Sequence, residues 1–157
     1  MTENKLAKRL EKLEFFGDLE AEHREWLAEH ATERQFEDGQ LLARHGDKAD
    51  RFFLVVEGEL VVEVPALTGP SLEVTRLGEG KIFGWSWLIK PYRWHFNARS
   101  AGATRVLEFD GLAILERAEA EPAFGYALLR RFSALMGLRL EAAQRKMMDQ
   151  WAPAGLP

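Results

Sequence analysis

A mainly β fold with flanking helices is predicted: an antiparallel β-roll or jelly roll, of the double-stranded β-helix kind, with N-terminal helices and a long C-terminal helix. Three observations predict it. Short apolar or alternating runs are spaced evenly from Thr32 to Asp110 and separated by glycine turns, the pattern of an antiparallel barrel or roll. Helical periodicity occupies both ends, with Leu6, Leu10 and Leu13 at one and the stretch between Pro122 and Pro153 at the other. The 157 residues, 46% of them hydrophobic, suffice for one well-buried domain.

The first helix is expected to run to Phe15-Phe16-Gly17, and Asp18 is a candidate N-cap for a second through Ala31, with Trp26, Leu27 and His30 on one side. Both read as packing helices. Asp38-Gly39 and Glu57-Gly58 read as two-residue hairpin turns, the glycine supplying the positive φ. Arg51 to Val56 is apolar on both faces, as in a strand buried on two sides, whereas Glu59 to Val64 alternates with Leu60, Val62 and Val64 on one face. Further strands fit Leu72 to Leu77 and Thr104 to Phe109, with turns at Leu67 to Ser71 and Gly78 to Gly80. One domain over residues 1–151 is expected, comprising helices in 1–31, the roll in 32–110, and helices again in 111–151, with 152–157 as a tail.

Pro122 suits the first turn of the last helix. Leu129, Phe132, Met136, Leu140, Ala143, Met147 and Trp151 form one apolar stripe on it, and Leu128, Leu135 and Leu138 a second. At 1.5 Å per residue the helix is about 45 Å long, more than a small roll covers. A homodimer through this stripe is therefore expected, with Met136, Met147, Met148 and Trp151 as contacts near its outer end and Gly137 permitting close approach. The alternative is that the whole stripe packs on its own roll.

Composition excludes several classes. The absence of cysteine removes disulfides, thiolate nucleophiles and cysteine-ligated metals. No apolar run approaches the roughly 18 to 20 residues of a spanning helix, and the N-terminus alternates charge with leucine, so a soluble, cytoplasmic chain without membrane contact is expected. The net charge of −4 argues against a general nucleic-acid binder, whose affinity comes from displaced phosphate counterions. That charge is uneven: Gly80 to Leu107 holds Lys81, Lys90, Arg93, Arg99 and Arg105 and no acid, so the remainder carries −9.

The same segment holds Phe83, Trp85, Trp87, Tyr92, Trp94 and Phe96, with glycines at 78, 80 and 84 around its start. Relaxed backbone N–H groups, guanidinium forks and flat aromatic walls are the parts that hold a phosphate attached to a planar base. The candidate ligand-binding set is Phe83, Gly84, Trp85, Ser86, Trp87, Arg93, Trp94, Arg99 and Ser100, within residues 84–100. Arg93 stands out because Tyr92 and Trp94 flank it. The plainer alternative is that the tryptophans seal the end of the roll while the arginines extend to water.

The run from Gly46 through Arg51-Phe-Phe-Leu-Val-Val-Glu-Gly58 to Val62, followed by Leu77-Gly-Glu-Gly80-Lys-Ile-Phe83-Gly84, resembles the cyclic nucleotide-binding domain. This is the sensor module of catabolite activator-type regulators, cyclic-nucleotide-dependent kinases and gated channels. The resemblance covers about residues 13–147 and is more specific for fold than for ligand. It implies a phosphate-binding cassette that begins Phe-Gly-Glu, where the glutamate holds the ribose hydroxyl, and reaches an arginine that pairs with the cyclic phosphate. Phe83 and Gly84 match, but Trp85 stands where the glutamate belongs and accepts no hydrogen bond. Arg93 lies near the arginine's distance yet precedes bulky Trp94-His95-Phe96, while Arg99-Ser100-Ala101 has the small-residue pattern too far along. Weak or absent cyclic AMP binding is expected, since a site built around hydroxyl contacts loses selectivity without them.

Catabolite activator-type regulators continue into a helix-turn-helix, whereas this sequence stops six residues after Trp151. Direct DNA binding is not expected. The resulting expectation is a stand-alone, dimeric sensor that binds a cyclic nucleotide or other phosphate-containing ligand, without another cofactor or a metal, and signals to a protein partner. Its alternative is a degenerate module that binds no ligand and acts through protein contacts. A cupin-type metalloenzyme is the remote third reading: His23, His30, His45 and His95 show no pairing at barrel-ligand spacing, and Ser86 or Ser100 near His95 makes no triad. No catalytic residue is assigned.

Overall fold

The computed structural model describes residues 3–151. Helices α1 (Glu3–Glu11), α2 (Glu14–Gly17) and α3 (Ala21–Glu29) precede eight strands. These are β1 (Ala31–Phe36), β2 (Leu41–Ala43), β3 (Arg51–Glu57), β4 (Leu60–Val64), β5 (Leu72–Leu77), β6 (Ile82–Phe83), β7 (Asn97–Ser100) and β8 (Thr104–Asp110). Helices α4 (Gly111–Ala120) and α5 (Pro122–Trp151) follow. No helix among the described residues is long and apolar enough to cross a membrane.

Strand pairing is antiparallel and nested: β1 lies on β8, β2 on β7, β3 on β6 and β4 on β5, with β3–β8 and β4–β7 contacts completing two four-stranded sheets. This is the jelly roll expected from the strand spacing. The expected hairpins at Asp38-Gly39 and Glu57-Gly58 are corrected, because β1 and β2, and likewise β3 and β4, belong to different sheets. Gly39 and Gly58 do adopt positive φ, 79° and 95°, but the turns carry the chain across the roll. A positive-φ glycine satisfies a sharp reversal of either kind. At Gly58 the glycine is also needed for space, since a Cβ would sit 2.6 Å from the Ala103 carbonyl oxygen.

The doubly apolar strand β3 divides two cores. Phe52, Leu54 and Val56 face the helical layer, and Phe53 and Val55 face the roll interior, as the two-residue strand period requires. Phe52 stacks on its cross-strand partner Phe109 at 4.5 Å. Across the helical layer, Leu10, Phe16, Leu27, Ile114, Phe124, Leu128 and Phe132 complete that core.

Two helix expectations are also corrected. The first helix breaks after Glu11 and resumes as the single turn α2, and Asp18 caps the C-terminus of α2, while Glu20 is the N-cap of α3. Asp18 instead pairs with Arg131 of α5. At the other end the Asp110 side chain caps α4, accepting from the Ala113 amide at 3.1 Å.

The face of α5 turned to its own domain carries Phe124, Leu128, Phe132, Leu135 and Arg139, all buried. The stripe expected for a partner is thereby split: Phe132 is in the core, Met136 packs against its edge, Ala143 is half-buried, and Leu129, Leu140 and Met147 are exposed. Of the second stripe, Leu128 and Leu135 are buried and Leu138 is exposed. The side chain of Trp151 lies outside the described residues, as does the tail from 152 to 157. Arg139 donates to the Ile82 carbonyl at 2.6 Å, and burial pushes its guanidinium down to about 10. Strand β6 is the edge of its sheet, so Arg139 covers a carbonyl that pairing leaves open.

Candidate functional site

The segment between β6 and β7 starts from a cross-strand pair, Phe83 opposite Phe53, both facing the roll interior. Gly84 then turns the chain at φ 111°. Its missing side chain has a second purpose, because a Cβ there would lie 2.9 Å from Cζ3 of Trp94. After the turns at Trp85–Leu88 and Ile89–Tyr92, the chain runs beside the β2–β3 loop. The Gly46 amide donates to the Trp94 carbonyl and the Trp94 amide to the Asp47 carbonyl, each at 2.9 Å. That ladder makes neighbouring side chains alternate: Trp94 enters the roll, and Arg93 and His95 remain exposed.

The indole of Trp94 lies 5.5 Å from the ring of Phe83 and 6.4 Å from that of Phe53. Phe83, Gly84, Trp85, Ser86, Trp94, His95 and Phe96 leave a cavity of about 10 Å³ between them, no more than a single water requires. Small-molecule sites are commonly about 300–1,000 Å³. A larger cleft of about 380 Å³ opens beside His30, Asp50, Arg51 and Glu108 on another part of the surface. Its charges already satisfy one another: Arg51 donates to Asp50 at 2.7 Å and to Glu108 at 2.9 Å, which together hold its guanidinium above the ordinary value despite partial burial.

Trp87 enters the other core. It stacks on Phe52 at 5.6 Å, meets the edge of Phe132 on α5 at 5.1 Å, and donates its indole N–H to the Gly84 carbonyl at 3.2 Å. It thus joins the turn at Gly84 to the long helix. Trp85 lies beside His95 and edge-on to Phe96, and the buried Ser86 hydroxyl is 2.9 Å from Nδ1 of His95.

Arg93 donates to the Gly46 carbonyl at 3.0 Å. Arg99 and Ser100 lie on β7, away from Arg93. Arg99 donates to Glu63 at 3.2 Å and to the Gly39 carbonyl at 2.9 Å, and the Ser100 hydroxyl ties the Glu37 carbonyl to the Gln40 amide. Phe83, Gly84, Trp85, Ser86 and Trp94 therefore come together, with Trp87 behind them and Arg93, Arg99 and Ser100 in separate contacts. The acid-free stretch of sequence is not acid-free in space: Arg105 pairs with Glu33 and Glu57 across β1 and β3, just as Arg99 pairs with Glu63. His95, Glu63 and Arg139 were missing from the sequence-derived set. Glu63 left a signal as a charge among the apolar residues of β4, and His95 as an imidazole near Ser86 in the same segment, whereas Arg139 left none.

An eight-stranded roll whose β6–β7 segment is bridged by an indole to a long C-terminal helix defines a jelly-roll domain with a helix packed over one sheet. The model of the cyclic nucleotide-binding domain matches residues 33–120, and the chain belongs to that family. A protein of Geobacter metallireducens GS-15 described as cyclic nucleotide-binding is 30% identical, with a TM-score of 0.77 over 85% of this chain and 97% of that one. The cAMP-dependent protein kinase regulatory subunit of Dictyostelium discoideum is 32% identical over 104 residues, covering 64% of this chain and 32% of the relative. The chain thus spans about a third of the length of that curated relative. The regulatory domain of Toxoplasma gondii PKA, solved with cAMP, shares the fold at 22% identity and a TM-score of 0.71, covering 84% of this chain and 50% of that one.

Proposed function

We propose that the chain is a non-catalytic regulatory module in which the family's nucleotide site is filled by its own Trp94, so that regulation runs through protein contacts. The filled cavity carries this reading. A nucleotide would have to displace an indole packed on two phenylalanines, with Trp85 at the family's ribose-binding glutamate position and both candidate arginines engaged by protein oxygens. Loss of hydroxyl recognition alone is worth orders of magnitude in selectivity. Isothermal titration of the full chain with cyclic AMP and cyclic GMP is expected to show no saturable heat at millimolar ligand. Saturable binding that is lost in Arg93→Ala would overturn the reading in favour of a phospho-ligand sensor.

The helix α5 is proposed as the homodimer contact. Beyond Arg139 it presents exposed Leu140, Met147 and Met148, and Leu140 and Met147 lie with exposed Leu129 to one side of the face that its inner half buries. Trp87 against Phe132 connects that helix to the closed segment. Sedimentation equilibrium at tens of micromolar is expected to give a dimer, and Leu140→Glu with Met147→Glu a monomer. A monomeric parent chain would remove this part of the proposal.

A further inference from the structure

The β2–β3 loop and the β6–β7 segment place like charges face to face. Lys48 is directly opposite Arg93 in an antiparallel bridge, a juxtaposition that costs stability. Arg44 and Lys90 lie at the ends of the same two segments, whose turns are closed by Asp47 N–H to Arg44 carbonyl and Tyr92 N–H to Ile89 carbonyl bonds. All four cations are exposed. Among the described residues none of them pairs with a carboxylate, whereas Arg34, Arg51, Arg76, Arg99, Arg105, Arg117, Arg131 and Arg145 all do. Arg9 and Arg130 also lack a carboxylate partner, but among the described strand and bridge pairings Lys48 and Arg93 alone set two cations opposite each other, a local conflict of the sort found at functional sites.

We infer that this face is the docking surface for a short, carboxylate-rich segment of a partner protein. Asp47 is the acid within it, so the face carries +3 and the rest of the chain −7 of the net −4. A duplex nucleic acid or an anionic bilayer would extend beyond the face onto that acidic remainder, within the Debye length of about 8 Å at physiological salt, and be repelled. A short acidic segment covers the cations and ends. The cavity beside Trp94, about 10 Å³, admits no buried ligand group, so contact is made on the surface, where electrostatic complementarity chiefly sets specificity and rate of encounter. Half-exposed Ile89 beside Lys90 supplies an apolar contact. The assignment rests on the proposed protein-coupled function and names its partner class.

Fluorescence anisotropy with the full chain and a labelled hexaglutamate peptide tests it. Saturable binding at low salt is expected, weakening as salt rises and lost in the Lys48→Glu/Arg93→Glu double variant. Lys48→Glu alone is expected to weaken binding about tenfold, the loss of one close charge contact, while raising Tm by about 1–4 °C as the opposed pair becomes complementary. Absent binding, equal binding by the double variant, an unchanged or lowered Tm in Lys48→Glu, or tighter binding of a duplex DNA or phosphatidylserine vesicles would each overturn the inference. Failure of the parent function is read separately: cyclic AMP heat in the wild-type chain would break the closed-site reading whatever the peptide does.

Discussion

Trp87 and Trp94 come from one segment and enter opposite cores. Trp87, 1% exposed, belongs to the helical layer with Phe52, Phe109 and Phe132; Trp94, 6% exposed, belongs to the roll interior with Phe53 and Phe83. Trp87 is held on both sides, by a stacked ring and by a helix, and its N–H has an acceptor. Trp94 packs beneath exposed loops, against a glycine left bare to receive it. The difference separates a residue that integrates the segment into the domain from one that occupies a space the roll would otherwise contain.

Substitutions should divide along that line. Trp87→Ala is expected to cost about 4 kcal/mol, the range for a fully buried aromatic, and to loosen α5, read as faster amide exchange around Phe132 beside the drop in denaturation midpoint. A loss below about 1 kcal/mol would erase the distinction from the opposite side. Trp94→Ala is expected to cost less, about 3 kcal/mol, and to leave a dry apolar cavity of the kind that takes up aromatic guests. Indole should then raise the melting temperature of Trp94→Ala and leave the parent protein and Trp87→Ala unmoved. If indole stabilised none of them, Trp94 would not be the occupant of the site.

Much of the architecture was legible because it depends on local chemistry. Glycine positions marked the turns, the two-sided apolar run of β3 marked a strand between two cores, and Phe83-Gly84 marked where the aromatic segment begins. Pairing was less legible, since Gly39 and Gly58 need the same φ whether the next strand folds back or crosses to the other sheet. The two stripes of α5 were both visible, but only the packed roll decides that Leu128 and Leu135 face inward while Leu129 and Leu140 face out. Arg139 resembled any surface cation of a helix until the open edge of β6 supplied the reason for its burial. The aromatic content of residues 83–96 pointed to the site, and the alternation that sends Trp94 inward and Arg93 outward came from the ladder with Gly46 and Asp47.

The nested pairing of the strands also orders the entropy of assembly. Joining β4 to β5 closes the short loop between Val64 and Leu72, whereas joining β1 to β8 brings Ala31 to Phe109 across about half of the chain. Each inner pair, once formed, shortens the free loop that the next must close, and closure cost rises with the length still free. The roll is therefore cheapest to wind from its centre outward, and its dominance by distant contacts places it among the slower-folding topologies.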